Sequence, residues 1–276
     1  DYMSKGYVPL REQYDNSVSH ALEYYIADFA LSRFAEALGK KKDAEMFYKR
    51  SLGYKHYYSK EFGTFRPILP DGTFYSPFNP RQGENFEPNP GFHEGSAWNY
   101  TFYVPHDVYG LAKLMGGKKS FIDKLQMVFD EGLYDPANEP DIAYPHLFSY
   151  FKGEEWRTQK ETQRLLDKYF TTKPDGIPGN DDTGTMSSWA IFNMIGFYPD
   201  CPGLPEYTLT TPVFDKVTIR LNPKWYKEKE LVIETNRTQP GTLYINKVLL
   251  NGKKFNKYHI THDELVHGQR IFFDLK

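Results

Sequence analysis

Residues 17–38 read SVSHALEYYIADFALSRFAEAL. Val18, Leu22, Ile26, Phe29, Ala30, Phe34 and Leu38 recur at three- and four-residue intervals, the spacing of one face of a helix. Gly39 closes the run. Similar patterns continue outward and predict helices over 41–58, 94–102, 105–115, 120–131, 140–150, 155–169 and 183–195. They pair as helical hairpins, which points to part of a helical barrel or toroid rather than a compact bundle. Near residue 204 the period changes from that of helices to that of strands. YTLTTPVFDKVTIRL (207–221), ELVIETN (230–236), LYINKVLLNGKKF (243–255) and QRIFFDL (269–275) alternate apolar with polar residues. Asn251-Gly252 is a tight-hairpin signal. The expected fold is mainly α with a β-rich C-terminal part: residues 1–204 helical, 205–276 an antiparallel sheet too small to make a sandwich alone, packing on other parts of the same protein.

The chain has 276 residues, 39% apolar and 25% charged, with a mean hydropathy of −0.65. No stretch approaches the roughly 18 apolar residues of a membrane helix. A net charge of −2 gives no electrostatic reason to expect nucleic acid or an anionic membrane as partner. Aromatic residues reach 17%. Such rings pack onto the apolar faces of sugars, and equally well into a Tyr-rich core. The single cysteine, Cys201, excludes an internal disulfide and a multi-thiolate metal site. No signal peptide is visible, and the opening residues DYMSKGYVPL read as the middle of a domain. A Pro-, Gly-, Asn- and Phe-rich loop over 61–92 is longer than a compact domain needs without a function.

Three segments carry candidate chemistry. In GFHEGSAWNY (91–100), Glu94 stands at a loop-to-helix junction beside the small residues Gly95, Ser96 and Ala97, with Trp98 one turn on. Small neighbours let a ligand approach, and an indole that excludes water would raise a general acid's pKa. Favourable placement of a carboxylate at a helix start explains the same residue without function. In NEPDIAYP (138–145), Asn138 and Glu139 offer hard oxygen ligands suited to calcium, or simply cap a helix with Pro at its start. In PGNDDTGTMSSW (178–189), Asp181 and Asp182 precede a helix with an apolar stripe. One Asp suffices as a cap; a second is available to polarise water as a general base. Glycoside hydrolysis needs such a pair, one acid and one base, about 6.5–9.5 Å apart in inverting enzymes.

These segments together resemble glycoside hydrolase family 92, the calcium-dependent exo-acting α-mannosidases. The matching stretches are SVSHALEYYIADF (17–29), EGSAWNYTFYVPHDV (94–108), LMGG (114–117), NEPDIAYPHLFSY (138–150), GIPGNDDTGTMSSWAIFNMIGFYPDCPG (176–203) and YTLTTPVFDKVTI (207–219), in the family's order. The resemblance implies part of an (α/α)6 barrel, inverting removal of terminal α-mannose from oligosaccharides or N-glycans, and an extracytoplasmic location. It makes Glu94 the catalytic acid and Asp182 the base, with Asp181 assisting. Calcium would lie near Asn138, Glu139 and Asp181 and hold the mannose O2 and O3. Trp98, Tyr100, His106 and Asp107 would line or support the pocket, with Asn138 and Glu139 near the leaving sugar.

The likeness also implies an N-terminal β-sandwich and a twelve-helix barrel, of which this sequence holds only the later part. Asn138 stands where members that cut α-1,2 linkages carry His, so the linkage stays open. Another inverting helical-barrel glycosidase or glycoside phosphorylase, and a non-catalytic carbohydrate-binding module, are the alternatives. Two Asn-x-Thr matches, at Asn99 and Asn236, are frequent by chance.

Overall fold

The computed structural model describes residues 1–12, 15–83, 89–239 and 241–276. Residues 84–88 of the expected 61–92 loop lie outside the described residues. The chain forms two compact units, Asp1–Tyr144 with Cys201–Leu204, and Pro145–Asp200 with Pro205–Lys276.

The first unit is built on α2 (Ser17–Ala37), which follows the short α1 (Tyr2–Lys5), and on α3 (Lys41–Ser51). Val18, Leu22, Ile26 and Phe29 are buried as the periodicity predicts, but Phe34 and Leu38 are exposed. The buried face turns instead through Tyr25, Asp28, Ser32 and Ala35. Asp28 drives this turn. It accepts a 2.6 Å hydrogen bond from the Tyr2 phenol and pairs with the Arg50 guanidinium, so a charge is buried together with its partner. The predicted helix over 41–58 tightens after Ser51 into a 3-10 segment, Leu52–Tyr57.

The expected long loop is organised rather than structureless. It begins with the hairpin β1 (Tyr58–Ser59) and β2 (Thr64–Phe65). Arg66 is buried with its guanidinium 5.0, 5.6 and 5.5 Å from the rings of Phe62, Phe74 and Phe78. It also donates to the Tyr75 carbonyl and pairs with Glu61 at 3.0 Å. A guanidinium stacked on rings and hydrogen-bonded at its edge organises an otherwise apolar loop. Beyond it come α4 (Ala97–Thr101), α5 (Val108–Leu114) and α6 (Lys118–Asp130). The helix expected over 140–150 is instead a pair of 3-10 segments, Glu139–Asp141 and Tyr144–Tyr150.

The second unit holds α7 (Glu155–Tyr169), α8 (Thr185–Ile195) and the strands. β3 (Phe197–Tyr198), β4 (Glu206–Leu209) and β9 (His259–Thr261) form one sheet in the order β3-β4-β9. β5 (Lys216–Arg220), β6 (Glu230–Arg237), β7 (Ile245–Leu250), β8 (Lys253–Phe255) and β10 (Arg270–Leu275) form the other, ordered β5-β6-β10-β7-β8. Pairing is antiparallel except between β6 and β10, which run parallel. The Asn251-Gly252 signal is realised: Leu250 pairs Lys253, and both turn residues take positive φ, 50° and 77°. A short helix, α9 (His262–His267), interrupts the strands behind a reciprocal Thr261–Glu264 cap.

The strands do not stand apart as a separate region. Leu209 and Ile260 of the small sheet share one core with Ile233, Val248 and Phe273 of the large one, and Phe192 and Ile195 of α8 pack against it. On α7, Gln159 Oε1 accepts from the Ile245 amide at 3.0 Å. The long helices give way to strands after α8, while the compact units divide at Tyr144/Pro145. Cys201–Leu204 belongs with the first unit because Gly203 lies on α2, where a Cβ would sit 2.7 Å from the Ala30 Cα.

Candidate active site

In the first unit the helix expected from Glu94 starts later, at Ala97, with Ser96 as its cap. Ser96 Oγ accepts from Trp98 N, and Asn99 Oδ1 accepts from Ser96 N at 2.8 Å. Glu94 precedes the helix in the left-handed region, φ 51°. For a residue with a Cβ that conformation costs free energy and persists only where the surroundings over-determine it.

They do so here with side chains. Ser19 Oγ accepts from His93 N at 2.9 Å, and the Tyr100 phenol donates to His93 O at 2.6 Å. The Asn138 amide donates to Glu94 O at 2.8 Å, and the Asn89 amide to Gly95 O at 3.2 Å. With Asn99 on Ser96 N, five backbone groups from His93 to Ser96 are gripped by side chains of other positions. The Glu94 carboxylate itself is 57% exposed and 3.5 Å from His93 Nε2. Asn16 Nδ2 lies 3.2 Å from His93 Nδ1.

Around this loop, Tyr103 donates to Glu23 Oε1 at 2.9 Å. Burial, with Glu23 and more weakly Glu139 nearby, holds the Tyr103 phenol above its usual range. Burial does the same to Tyr100. Asp141, fully buried, accepts from Asp135 N at 2.7 Å and from Asn99 Nδ2 at 2.9 Å. Burial raises its pKa well above the carboxylate range, against the pull of those two donors.

Trp98 and His106 are packed into the first unit. Trp98 is buried, and its carbonyl accepts from the Tyr144 phenol at 3.1 Å. His106 lies between Phe29 and Tyr54, ring centroids 5.5 and 6.0 Å away, and its Nε2 donates to Ser51 O at 3.0 Å. It is a packing residue of this unit, and burial lowers its pKa to about 4. Asp107 caps α5 through Gly110 N and accepts from the Tyr54 phenol at 2.8 Å.

Asp181 and Asp182 belong to the second unit. The Asp181 oxygens accept from Ser187 N at 2.8 Å and Ser187 Oγ at 2.6 Å, in the first turn of α8. The hydroxyl first, then the amide, hold its pKa below the usual carboxylate value. Asp182 is exposed, and its carbonyl accepts from Thr183 Oγ1 and Thr185 Oγ1 at 2.7 and 2.6 Å. Thr183 is left-handed at φ 53°, so among the described residues two of the four non-glycine positions with positive φ are Glu94 and the immediate neighbour of Asp182.

Asn138 and Glu139, the residues expected near a metal, are neighbours in the chain, and the Asn138 Nδ2 donates to Glu94 O. Calcium takes six to eight oxygens, so these residues supply only part of a shell. Among the described residues no group of three or more His, Cys, Asp or Glu is placed to hold a metal.

The profile of the glycosyl hydrolase family 92 catalytic domain matches residues 1–276. The chain belongs to glycosyl hydrolase family 92. Its structure superposes with a TM-score of 0.90 on a family 92 α-mannosidase from Bacteroides thetaiotaomicron solved with mannoimidazole, at 30% identity, covering 100% of this chain and 38% of that one. A family 92 inverting mannosidase from the same species gives 0.88 at 31% identity, covering 100% and 39%. An uncharacterized secreted glycosidase of Arthroderma benhamiae is 26% identical over 293 residues, 97% of this chain and 37% of its own length. The chain therefore spans little more than a third of the length of these relatives. The likeness agrees with the expected part of a helical barrel followed by strands.

Sequence reasoning did not single out Ser19, Glu23, Asn89, Tyr103 or Asp141, and read Asn99 only as a chance glycosylation match. Buried with both amide hydrogens engaged, Asn99 is no acceptor for a glycan. The Ser-x-x-Asn spacing at 96–99 was the one local signal for its capping role.

Proposed function

We propose that the protein carrying this chain is an inverting exo-acting glycoside hydrolase that removes terminal α-linked mannose from oligosaccharides or glycoprotein N-glycans outside the cytoplasm. Family membership and the mannosidase neighbours support the substrate class, and the secreted relative supports the location. No helix of the described residues is long and apolar enough to cross a membrane. The observation that carries the reading is the gripped, left-handed backbone at Glu94. A helix start needs a cap, which Ser96 already provides, and has no need of a strained, five-fold-held glutamate before it.

Glu94, as the carboxylic acid, donates its proton to the departing glycosidic oxygen. Asp182, as the carboxylate, takes a proton from the water that attacks the anomeric carbon from the other face. The turn leaves Glu94 ionised and Asp182 protonated, and exchange with solvent resets both. Asp181, fixed by Ser187, orients Asp182's segment and assists it. Tyr100 and Asn138 hold the loop that aims Glu94, while Trp98 and His106 support it from the core. Asn138, Glu139 and Asp181 are the proposed contribution of this chain to a calcium site. When bound, that ion polarises and orients sugar hydroxyls.

The deciding experiment is Glu94→Gln in the protein that carries this chain. Turnover of an α-mannoside should fall by about 10²–10⁴-fold with binding retained, and the wild-type product should appear first as β-mannose by NMR. Full-rate cleavage by the variant sinks the acid assignment, and an α product sinks inversion.

A further inference from the structure

Asp141 has no role in the acid–base pair, yet it is a carboxylic acid with no exposed surface, set where an apolar residue would be less costly. Its contacts give the reason. Oδ2 accepts from Asp135 N and from Asn99 Nδ2, while Oδ1 has no hydrogen-bond partner among the described residues. Its backbone N–H closes a turn onto Asn138 O at 3.1 Å. Asn99 is spent on both sides: Nδ2 donates to Asp141 and to Leu133 O at 3.0 Å, and Oδ1 accepts from Ser96 N and Ser96 Oγ, each at 2.8 Å.

Asp141 is therefore the joint between two of the five grips on the loop of Glu94. Through Asn99 it reaches Ser96 N, on the C-terminal side of the glutamate. Its Oδ2 also holds Asp135 N, and Asp135 O accepts from Asn138 N at 3.4 Å, so the side chain closes the 135–141 turn that carries Asn138, whose amide holds Glu94 O. The other three grips come from Ser19, Asn89 and Tyr100. Without Asp141, the entrance of α4 and the 138–141 turn lose their common anchor. Glu94 is then free to relax from a φ that nothing intrinsic to it favours.

We infer that Asp141, acting through Asn99 and Asn138, is the positioning residue that holds Glu94 in the orientation for proton donation. The inference rests on the reading of Glu94 as the acid given above. It does not require that Asp141 touch substrate, and it assigns the buried carboxyl a task that stability alone does not.

A leaving-group series separates positioning from a merely structural role. Proton donation matters for a sugar or alkyl leaving group and hardly at all for dinitrophenolate. In the protein that carries this chain, Asp141→Ala should lower kcat on a mannosyl-mannose disaccharide by about 10²-fold, the cost of displacing a catalytic group by about 1 Å. It should lower kcat on 2,4-dinitrophenyl α-mannoside only a few-fold, with KM little changed on both. Asp141→Asn keeps an oxygen that can accept from Asn99 and Asp135 N, and should restore most of the disaccharide rate. Should Asp141→Ala not fold, Asp141→Ser, too short to reach Asn99, carries the same expectation. Equal slowing of both substrates, or no slowing of the disaccharide, overturns the positioning role, provided that Glu94→Gln itself discriminates between them. If Glu94→Gln slows both substrates alike, the acid assignment falls first and the positioning role with it.

Discussion

Replacing Asn99 by Ala is the sharpest test of the packing behind the candidate site. The side chain is buried and makes four hydrogen bonds, two donated and two accepted. Its removal leaves Ser96 N and Leu133 O without the partners they have now. Ser96 Oγ can rotate to another acceptor, and Asp141 Oδ2 keeps the Asp135 amide. Two orphaned buried backbone groups at about 1–3 kcal/mol each give a loss of roughly 2–6 kcal/mol. For a unit of this size that lowers Tm by roughly 5–20 °C. Urea unfolding of the protein that carries this chain measures the loss directly, as a lower midpoint at unchanged slope. Asn99→Asp is isosteric but turns a donor pair into acceptors facing Leu133 O and Asp141, so it should cost at least as much as Ala. A loss below about 1 kcal/mol for Asn99→Ala, or an Asp variant as stable as the wild type, would refute the network as the source of order at the helix entrance.

Two more outcomes follow from the same coordinates. His106 has its pKa lowered from 6.5 to about 4 by burial. As pH falls below 6.5 the unfolded chain takes up a proton that the folded chain refuses until about pH 4. Stability present at neutral pH is therefore lost through that window, by about 3 kcal/mol in all. His106→Gln should flatten that part of a stability–pH curve, and an unchanged curve would dismiss His106 as its source. Chelation tests the calcium proposal. Excess EDTA should halt mannoside turnover and added calcium restore it, whereas activity indifferent to EDTA would take the ion out of the reaction.

Much of the fold is readable along the chain because its signals are local. The 17–38 stripe, the 155–169 helix and the Asn251-Gly252 turn depend on residues a few positions apart, and all three appear as α2, α7 and the β7–β8 hairpin. Predictions failed where distant partners intervened. Phe34 and Leu38 continue the stripe of α2 in sequence but not in packing, because Tyr2 and Arg50 draw Asp28 inward. The parallel pairing of β6 with β10 joins strands more than thirty residues apart, and alternation of side chains carries no direction. The 140–150 stretch has helical composition, yet Asp141 commits its side chain to Asn99 and Asp135, and the backbone winds as short 3-10 turns.

By itself the sequence determined most of the long helices and C-terminal strands and picked out the carboxylate-bearing segments between them. Periodicity, caps and turns are written in neighbouring residues. Only the tertiary structure decided that Glu94 sits in a strained conformation within a loop held at five backbone groups, that His106 and Trp98 serve the core, and that Asp141 is buried behind the loop. Each of these depends on hydrogen bonds and packing between segments tens of residues apart, and the free energy of a buried polar group is set by which partners reach it.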